Sequence, residues 1–259
     1  MDVNIRISKK VFNPVYQPFL DCEDRYVLFY GGGSSGKSYF IAQWLTYRLL
    51  KKDRENILVV RQTGDTNRRS TFPLFKQVIS NWNLGDHFKI NESDMRIICK
   101  LTGNEVAFAG LDDVEKIKSI TFENGELTDI WVEEATETQE SDINQLKVRL
   151  RGGKSKKQMV LSFNPINIQH WIKKHFIDSK LATVCFSTYK DNKFLTEDDR
   201  KALFELADLK VGSVLFFIAD KRKKVVCKNA GLIRDELGRK IGLIDEDKIE
   251  LCIIKDFPM

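Results

Sequence analysis

Gly31-Gly32-Gly33-Ser34-Ser35-Gly36-Lys37-Ser38 decides how the rest of the chain is read. It satisfies the pattern G-x-x-x-x-G-K-[ST], and its setting matters as much as its letters. The apolar run Tyr26-Val27-Leu28-Phe29-Tyr30 leads into it, and a helix-like run over residues 39–50 leaves it. Strand, loop and helix in that order are what a phosphate-binding loop requires. Backbone N–H groups from Gly31 to Gly36 would wrap a β-phosphate, with the positive end of the helix dipole behind them. Lys37 would reach the β- and γ-phosphates of ATP, and Ser38 would offer its hydroxyl to Mg²⁺. Glycine suits positions where backbone meets phosphate and where φ must be positive. The plain alternative is a Gly/Ser-rich turn, which would not need all four fixed positions.

The chain has 259 residues, enough for one large α/β domain with a small appendage. Hydrophobic residues make up 42% and charged residues 31%, a composition that fits an ordinary folded domain rather than a disordered chain. No apolar run approaches the roughly 20 residues that span a bilayer, and the first twelve residues lack the core of a secretory signal. The five cysteines, Cys22, Cys99, Cys185, Cys227 and Cys252, are odd in number and form no C-x-x-C. Buried free thiols in a reducing compartment are expected, not disulfides or a zinc site. A net charge of +5 permits contact with nucleic acid without showing it. Basic clusters at 51–52, 68–69, 149–157 and 221–224 read most simply as solvated faces.

Short apolar runs at residues 26–30, 57–60, 97–99, 106–109, 130–132, 159–163 and 184–186 predict strands. Apolar spacing predicts helices over 39–50, 72–82, 168–176 and 199–209. This alternation predicts a mostly parallel sheet flanked by helices. Residues 95–100 and 104–109, joined through Leu101-Thr102-Gly103, predict a hairpin inserted at an edge. The boundary is expected near residue 208. Residues 209–259 differ in character, with an apolar stretch at 211–219 and a possible strand at 249–254, and suggest a small β appendage or the start of a second domain.

Two further strand ends carry chemistry. Ile130-Trp131-Val132 is followed by Glu133 and Glu134, and ligands in parallel sheets bind at strand C-termini. Glu133 would hold the hydration shell of Mg²⁺ opposite Ser38, and Glu134 would orient or deprotonate the attacking water. Glu133 is one methylene longer than the Asp usual at that position. Leu161-Ser162-Phe163-Asn164-Pro165 ends a third strand, where Asn164 would sense the γ-phosphate or simply start an Asn-Pro turn.

These motifs, in this order, resemble the large terminase subunit of tailed bacteriophages, in its PBSX-like branch. The resemblance covers about residues 10–207. It runs through 29–38, through Ala109-Gly110-Leu111-Asp112-Asp113-Val114-Glu115-Lys116-Ile117-Lys118-Ser119, and through Trp131-Val132-Glu133-Glu134-Ala135-Thr136-Glu137. It continues with Gln145-Leu146 and Arg149-Leu150-Arg151-Gly152, then 162–165, then Thr188-Tyr189-Lys190-Asp191-Asn192-Lys193-Phe194-Leu195. It implies an additional-strand P-loop ATPase core that hydrolyses ATP with Mg²⁺ to move double-stranded DNA into a procapsid. It also implies a homo-oligomeric ring, portal and small-subunit partners, and the bacterial host cytoplasm. Residues 162–165 would couple hydrolysis to movement. Relatives often carry an arginine finger inside the loop; here Gly33, Ser34 and Ser35 stand there. A finger would then come from a neighbouring subunit, with Arg61, Arg149 and Arg151 as candidates and Lys116 and Lys118 behind them. Tyr16-Gln17 would supply the adenine contact. Full-length relatives continue into a nuclease, but Asp245-Glu246-Asp247 is no spaced metal triad, so no nuclease activity is expected. Two other readings are a nucleotide-dependent assembly protein and a generic helicase-like ATPase.

Overall fold

A computed structural model describes residues 5–51, 55–113, 117, 119–164, 169–196, 198, 223–240 and 242. The chain divides into two units, Met1–Thr196 and Glu197–Met259, a boundary twelve residues before the expected one. The first unit is built on an eight-stranded sheet. Its strands are β1 (Tyr26–Gly31), β2 (Glu55–Arg61), β3 (Phe88–Asn91), β4 (Arg96–Cys99), β5 (Glu105–Gly110), β6 (Glu126–Glu133), β7 (Gln158–Phe163) and β8 (Thr183–Ser187), in the order β3-β4-β5-β2-β6-β7-β1-β8. From β5 to β8 every neighbouring pair is parallel. β7 lies between β6 and β1, so an additional strand separates the acidic strand from the loop strand, as the family resemblance implies.

Both faces of this sheet are buried, which is why its strands read as continuous apolar runs rather than as alternation. Val27, Phe29, Ile57, Val59, Trp131 and Val160 point to one core. Leu28, Leu58, Val60, Ile130, Val132 and Leu161 point to the other. Helix α1 (Lys37–Lys51) presents Phe40, Ile41, Trp44, Leu45 and Leu49 to the first core, the five positions picked out by their spacing. Helices α2 (Gly64–Arg69) and α3 (Thr71–Asn81) follow β2, and α3 adds Phe72, Phe75, Val78 and Ile79 to that layer. Helix α4 (Glu140–Arg149) buries Ile143 and Leu146 in the opposite layer. A buried ion pair, Arg48 to Asp129 at 2.8 Å, ties α1 to β6.

Four expectations change. The hairpin exists as β4 and β5, antiparallel, but β5 also joins β2 in parallel, and β3 adds an outer strand that the sequence reading missed. Phe88-Lys89-Ile90-Asn91 is short, and only Phe88 is buried, so it carries little hydrophobic signal. The helix expected over 168–176 is instead a π-helical turn, Lys173–Asp178, after a helical start at Trp171 and Ile172. The Lys173–Asp178 ion pair at 2.6 Å has the five-residue separation of π hydrogen bonding. Residues 209–259, expected to be a small β appendage or the truncated start of a second domain, contain helix α5 (Lys223–Lys240), which does not fit the first alternative; Glu236 and Lys240 pair one turn apart in it. The expected elements at 199–209, 211–219 and 249–254, the acidic cluster 245–247, and Cys252 lie outside the described residues. Cys99 and Cys185 are buried free thiols and Cys22 is half-buried, but Cys227 is exposed, contrary to expectation.

Candidate active site

The strand order brings the C-terminal ends of β1, β6 and β7 together. Glu133 pairs with Ser162 and Tyr30 with Phe163, so the loop, the acidic pair and Asn164 emerge at one level of the sheet. They line a cleft of about 280 Å³ with Gly33, Ser34, Ser35, Gly36, Lys37, Ser38, Glu133, Glu134 and Asn164, together with Tyr39 and Phe163. The loop turns through Gly31 at φ 149° and Gly36 at φ 84°. A Cβ on Gly31 would stand 1.7 Å from the Ser187 carbonyl oxygen, and one on Gly36 would stand 2.9 Å from Asn13 Nδ2. Helix α1 starts directly behind it, with Phe40 N–H donating to the Gly36 carbonyl at 2.9 Å, so its dipole faces the cleft.

Lys37 is folded into this site. Its Nζ lies 2.9 Å from the Gly31 and Gly32 carbonyls, 3.3 Å from Ser35 Oγ and 3.2 Å from Asn164 Oδ1. Asn164 in turn places Nδ2 3.5 Å from Glu134 Oε1. Lysine, asparagine and glutamate from three separate chain segments thus form one line across the cleft. Burial lowers the Lys37 pKa, with Glu133 and Glu134 opposing the shift.

Ser38 Oγ donates to Glu133 Oε1 at 2.6 Å, and Ser162 Oγ donates to Glu133 Oε2. Trp131 Nε1 donates to Ser162 Oγ at 2.7 Å and so aims the serine proton at the carboxylate. Burial pushes the Glu133 carboxyl above the ordinary glutamate range against these hydroxyls and the charges of Arg61 and Lys37. A hydroxyl and a carboxylate 2.6 Å apart are hard oxygen donors. They suit Mg²⁺, which uses one or two protein ligands plus phosphate oxygens and water. Among the described residues no cluster of three or more acidic, His or Cys side chains offers a different metal cage.

Glu134 stands at φ 51°, ψ 51°. The left-handed conformation costs a non-glycine residue about 1 kcal/mol, and such outliers concentrate at working sites. Burial, then the neighbouring Glu133 charge, raise its pKa. Arg61, at the end of β2, opposes both shifts. It is fixed by Ser70 Oγ at 3.1 Å and by Glu137 Oε2 at 3.2 Å.

The remaining expected residues lie elsewhere. Gln17 Nε2 donates to the Lys9 carbonyl at 3.1 Å, and Gln17 is not among the cleft-lining residues. Arg149, the last residue of α4, donates to the Ile120 carbonyl, and Arg151 Nε, two residues on, donates to the Val148 carbonyl at 3.1 Å; neither is among the cleft-lining residues. Lys116 and Lys118 lie outside the described residues. Sequence reasoning missed Asn13, Ser187 and any role for Asn192, all of which touch the loop from behind. Asn192 lay within the stretch quoted for the resemblance, but nothing in its neighbours says what it faces.

A family profile described as phage terminase large subunit matches residues 23–211, which includes every strand and each cleft residue. The chain belongs to that family. The terminase large subunit of Bacillus phage SPP1 is 34% identical over 194 residues, 71% of this chain and 44% of that protein. The PBSX phage terminase large subunit of Bacillus subtilis strain 168 is 32% identical over 168 residues, 64% of this chain and 37% of that protein. This terminase chain therefore spans less than half the length of the curated relatives it matches. Among solved structures, the large terminase of a thermophilic bacteriophage superposes with a TM-score of 0.59 at 17% identity, over 74% of this chain and 46% of that one. That protein has also been solved with ADP and with ATP-γ-S. A short similarity of a different kind, 34% over 68 residues, runs to the aspartate–tRNA ligase of Clostridium tetani. It covers 26% of this chain and 12% of the ligase, too little of either to show a family.

Proposed function

We propose that this terminase chain is the ATPase part of a phage DNA-packaging motor. It would bind ATP with Mg²⁺ in the cleft of residues 31–38 and hydrolyse it to drive double-stranded DNA into a procapsid. The observation that carries the reading is the line from Lys37 through Asn164 to Glu134, beside the Ser38–Glu133 pair. A pocket that only held nucleotide would need the lysine but not the strained glutamate. The nucleotide complexes of the thermophilic-phage terminase support ATP as the ligand.

The chemistry is mostly positioning and charge neutralisation. The loop N–H groups and Lys37 would hold the phosphates. Ser38 and Glu133 would hold Mg²⁺, which when bound offsets negative charge on the phosphate oxygens. Glu134 would accept the proton of the attacking water. Asn164, bonded to both Lys37 and Glu134, would carry the change at the phosphates to the end of β7. Gln17 would have to leave the Lys9 carbonyl to meet adenine. Arg149 and Arg151 would serve as fingers only towards a neighbouring copy in a ring, whereas Arg61 already stands near the acids of its own chain. Membership of the family supports, as part of this reading, portal and small-subunit partners and work in the host cytoplasm. No helix among the described residues is long and apolar enough to cross a membrane.

The test is phosphate release by the purified chain with and without linear double-stranded DNA. Mg²⁺-dependent hydrolysis that rises with DNA is expected. ATP binding without any hydrolysis would favour an assembly protein instead. The pH profile follows from Glu134. A carboxyl raised above its ordinary value of 4.5 is protonated at higher pH than usual. Rate should therefore fall as pH drops through a point above 4.5, and an acid limb that persists unchanged in Glu134→Gln would assign it to another group.

A further inference from the structure

Two consecutive peptides of the phosphate loop have their carbonyls tied down from behind. Asn192 Nδ2 donates to the Ser34 carbonyl at 2.9 Å. The Tyr16 hydroxyl lies 3.0 Å from the Ser35 carbonyl and 2.8 Å from Ser187 Oγ, so it donates to the carbonyl while accepting from the serine. A trans peptide points its N–H opposite to its C=O, and the described chain has no cis bond. The N–H groups of Ser35 and Gly36 therefore point away from Tyr16 and Asn192, neither of which lines the cleft that Ser35 and Gly36 line. Successive N–H groups turned to one side form an anion-binding nest. Ser34 stands at φ 60° within it, a conformation its own side chain disfavours and that outside contacts must hold.

These ties are themselves braced. Asn192 Oδ1 accepts from Asn13 Nδ2 at 3.2 Å and from Phe194 N–H at 3.1 Å. Asn13 Oδ1 accepts from Lys193 N–H at 3.1 Å. The backbone donors identify the oxygen of each amide, so neither side chain can be flipped without losing a bond. Thr188 and Asp191 close the turn after β8 with a capping box, and Gly32 N–H donates to the Ser187 carbonyl at 3.1 Å. Tyr16 and Ser187 are wholly buried, and Asn13 nearly so.

We infer that Tyr16 and Asn192 are positioning residues for triphosphate binding, acting through the Ser35 and Gly36 N–H groups. This rests on the nucleotide reading of the cleft but names a source of affinity outside the loop motif. Both residues bond carbonyls of the phosphate loop, so the expected effect is on the phosphates; the adenine contact expected of Tyr16 would require its wholly buried ring to be uncovered.

The experiment measures displacement of a fluorescent ATP analogue by ATP and by inorganic tripolyphosphate, with KM and kcat from the same preparations. One lost hydrogen bond of ordinary strength corresponds to about two- to tenfold in affinity. Asn192→Ala and Tyr16→Phe should each weaken ATP and tripolyphosphate alike by about that factor, raising KM with little change in kcat or melting temperature. Asn13→Ala combined with Asn192→Ala should cost little more than Asn192→Ala alone, because Asn13 acts through Asn192. If Asn192→Ala does not fold, Tyr16→Phe decides, since it removes one oxygen and keeps the ring. Unchanged binding in the folded variants, or a loss for ATP that spares tripolyphosphate, would overturn the inference. An unsubstituted chain that binds neither ligand would instead overturn the nucleotide reading itself.

Discussion

Glu134→Gln binds ATP as the unsubstituted chain does and hydrolyses it at least ~10²-fold more slowly, the scale of a lost general base. Glutamine fills nearly the same volume, so the cleft keeps its shape. An oxygen remains available to Asn164 Nδ2, now 3.5 Å away. The substitution also removes a negative charge beside Glu133, which raises the Glu134 pKa second only to burial. Relief of that repulsion works against any loss of affinity. What disappears is a carboxylate lone pair basic enough to take a proton at that point. Calorimetric titration with ATP and a phosphate-release assay on one preparation separate the two effects. Turnover within threefold of the unsubstituted chain would take Glu134 out of the reaction.

Lys37→Ala loses both steps. Charge-assisted hydrogen bonds contribute about 1.5–3 kcal/mol each, so losing two to phosphate oxygens weakens ATP by roughly 10² to 10⁴. The loop also loses an internal brace, because the Lys37 ammonium holds the Gly31 and Gly32 carbonyls at 2.9 Å each. Hydrolysis should fall below detection while the melting temperature moves little, since the two cores lie on the faces of the sheet and not in the cleft. Hydrolysis surviving in Lys37→Ala at the original rate would assign the activity to another site or another protein.

The part of this site that was legible in the sequence is the part made of contiguous residues. Residues 31–38 could be read because one strand, one loop and one helix place them without help from the rest of the chain. Glu133, Glu134 and Asn164 could be read because buried parallel strands are continuous apolar runs, and polar residues at their C-terminal ends stand out. The additional strand was legible only through the family resemblance, since nothing in residues 158–163 says that they pair with both β1 and β6. β3 was missed because an outer strand with one buried side chain has no periodicity to detect. Helix α5 was missed because its start overlaps the basic run at 221–224 and Gly231 and Gly238 interrupt its helix-forming residues.

The sequence by itself determined that a phosphate loop, an acidic pair and an asparagine sit at the ends of three strands. Hydrophobic burial and backbone sterics act locally enough to be written in short windows. The tertiary structure alone decided what faces what. Lys37 meets Asn164 across 127 positions, and Asn192 meets Ser34 across 158. Both contacts depend on strand order, and strand order is set by how the whole sheet buries its two faces. Lys37 could therefore be read as a candidate phosphate ligand from its neighbours, while the side chains that bond the loop around it became visible only once β8 lay beside β1.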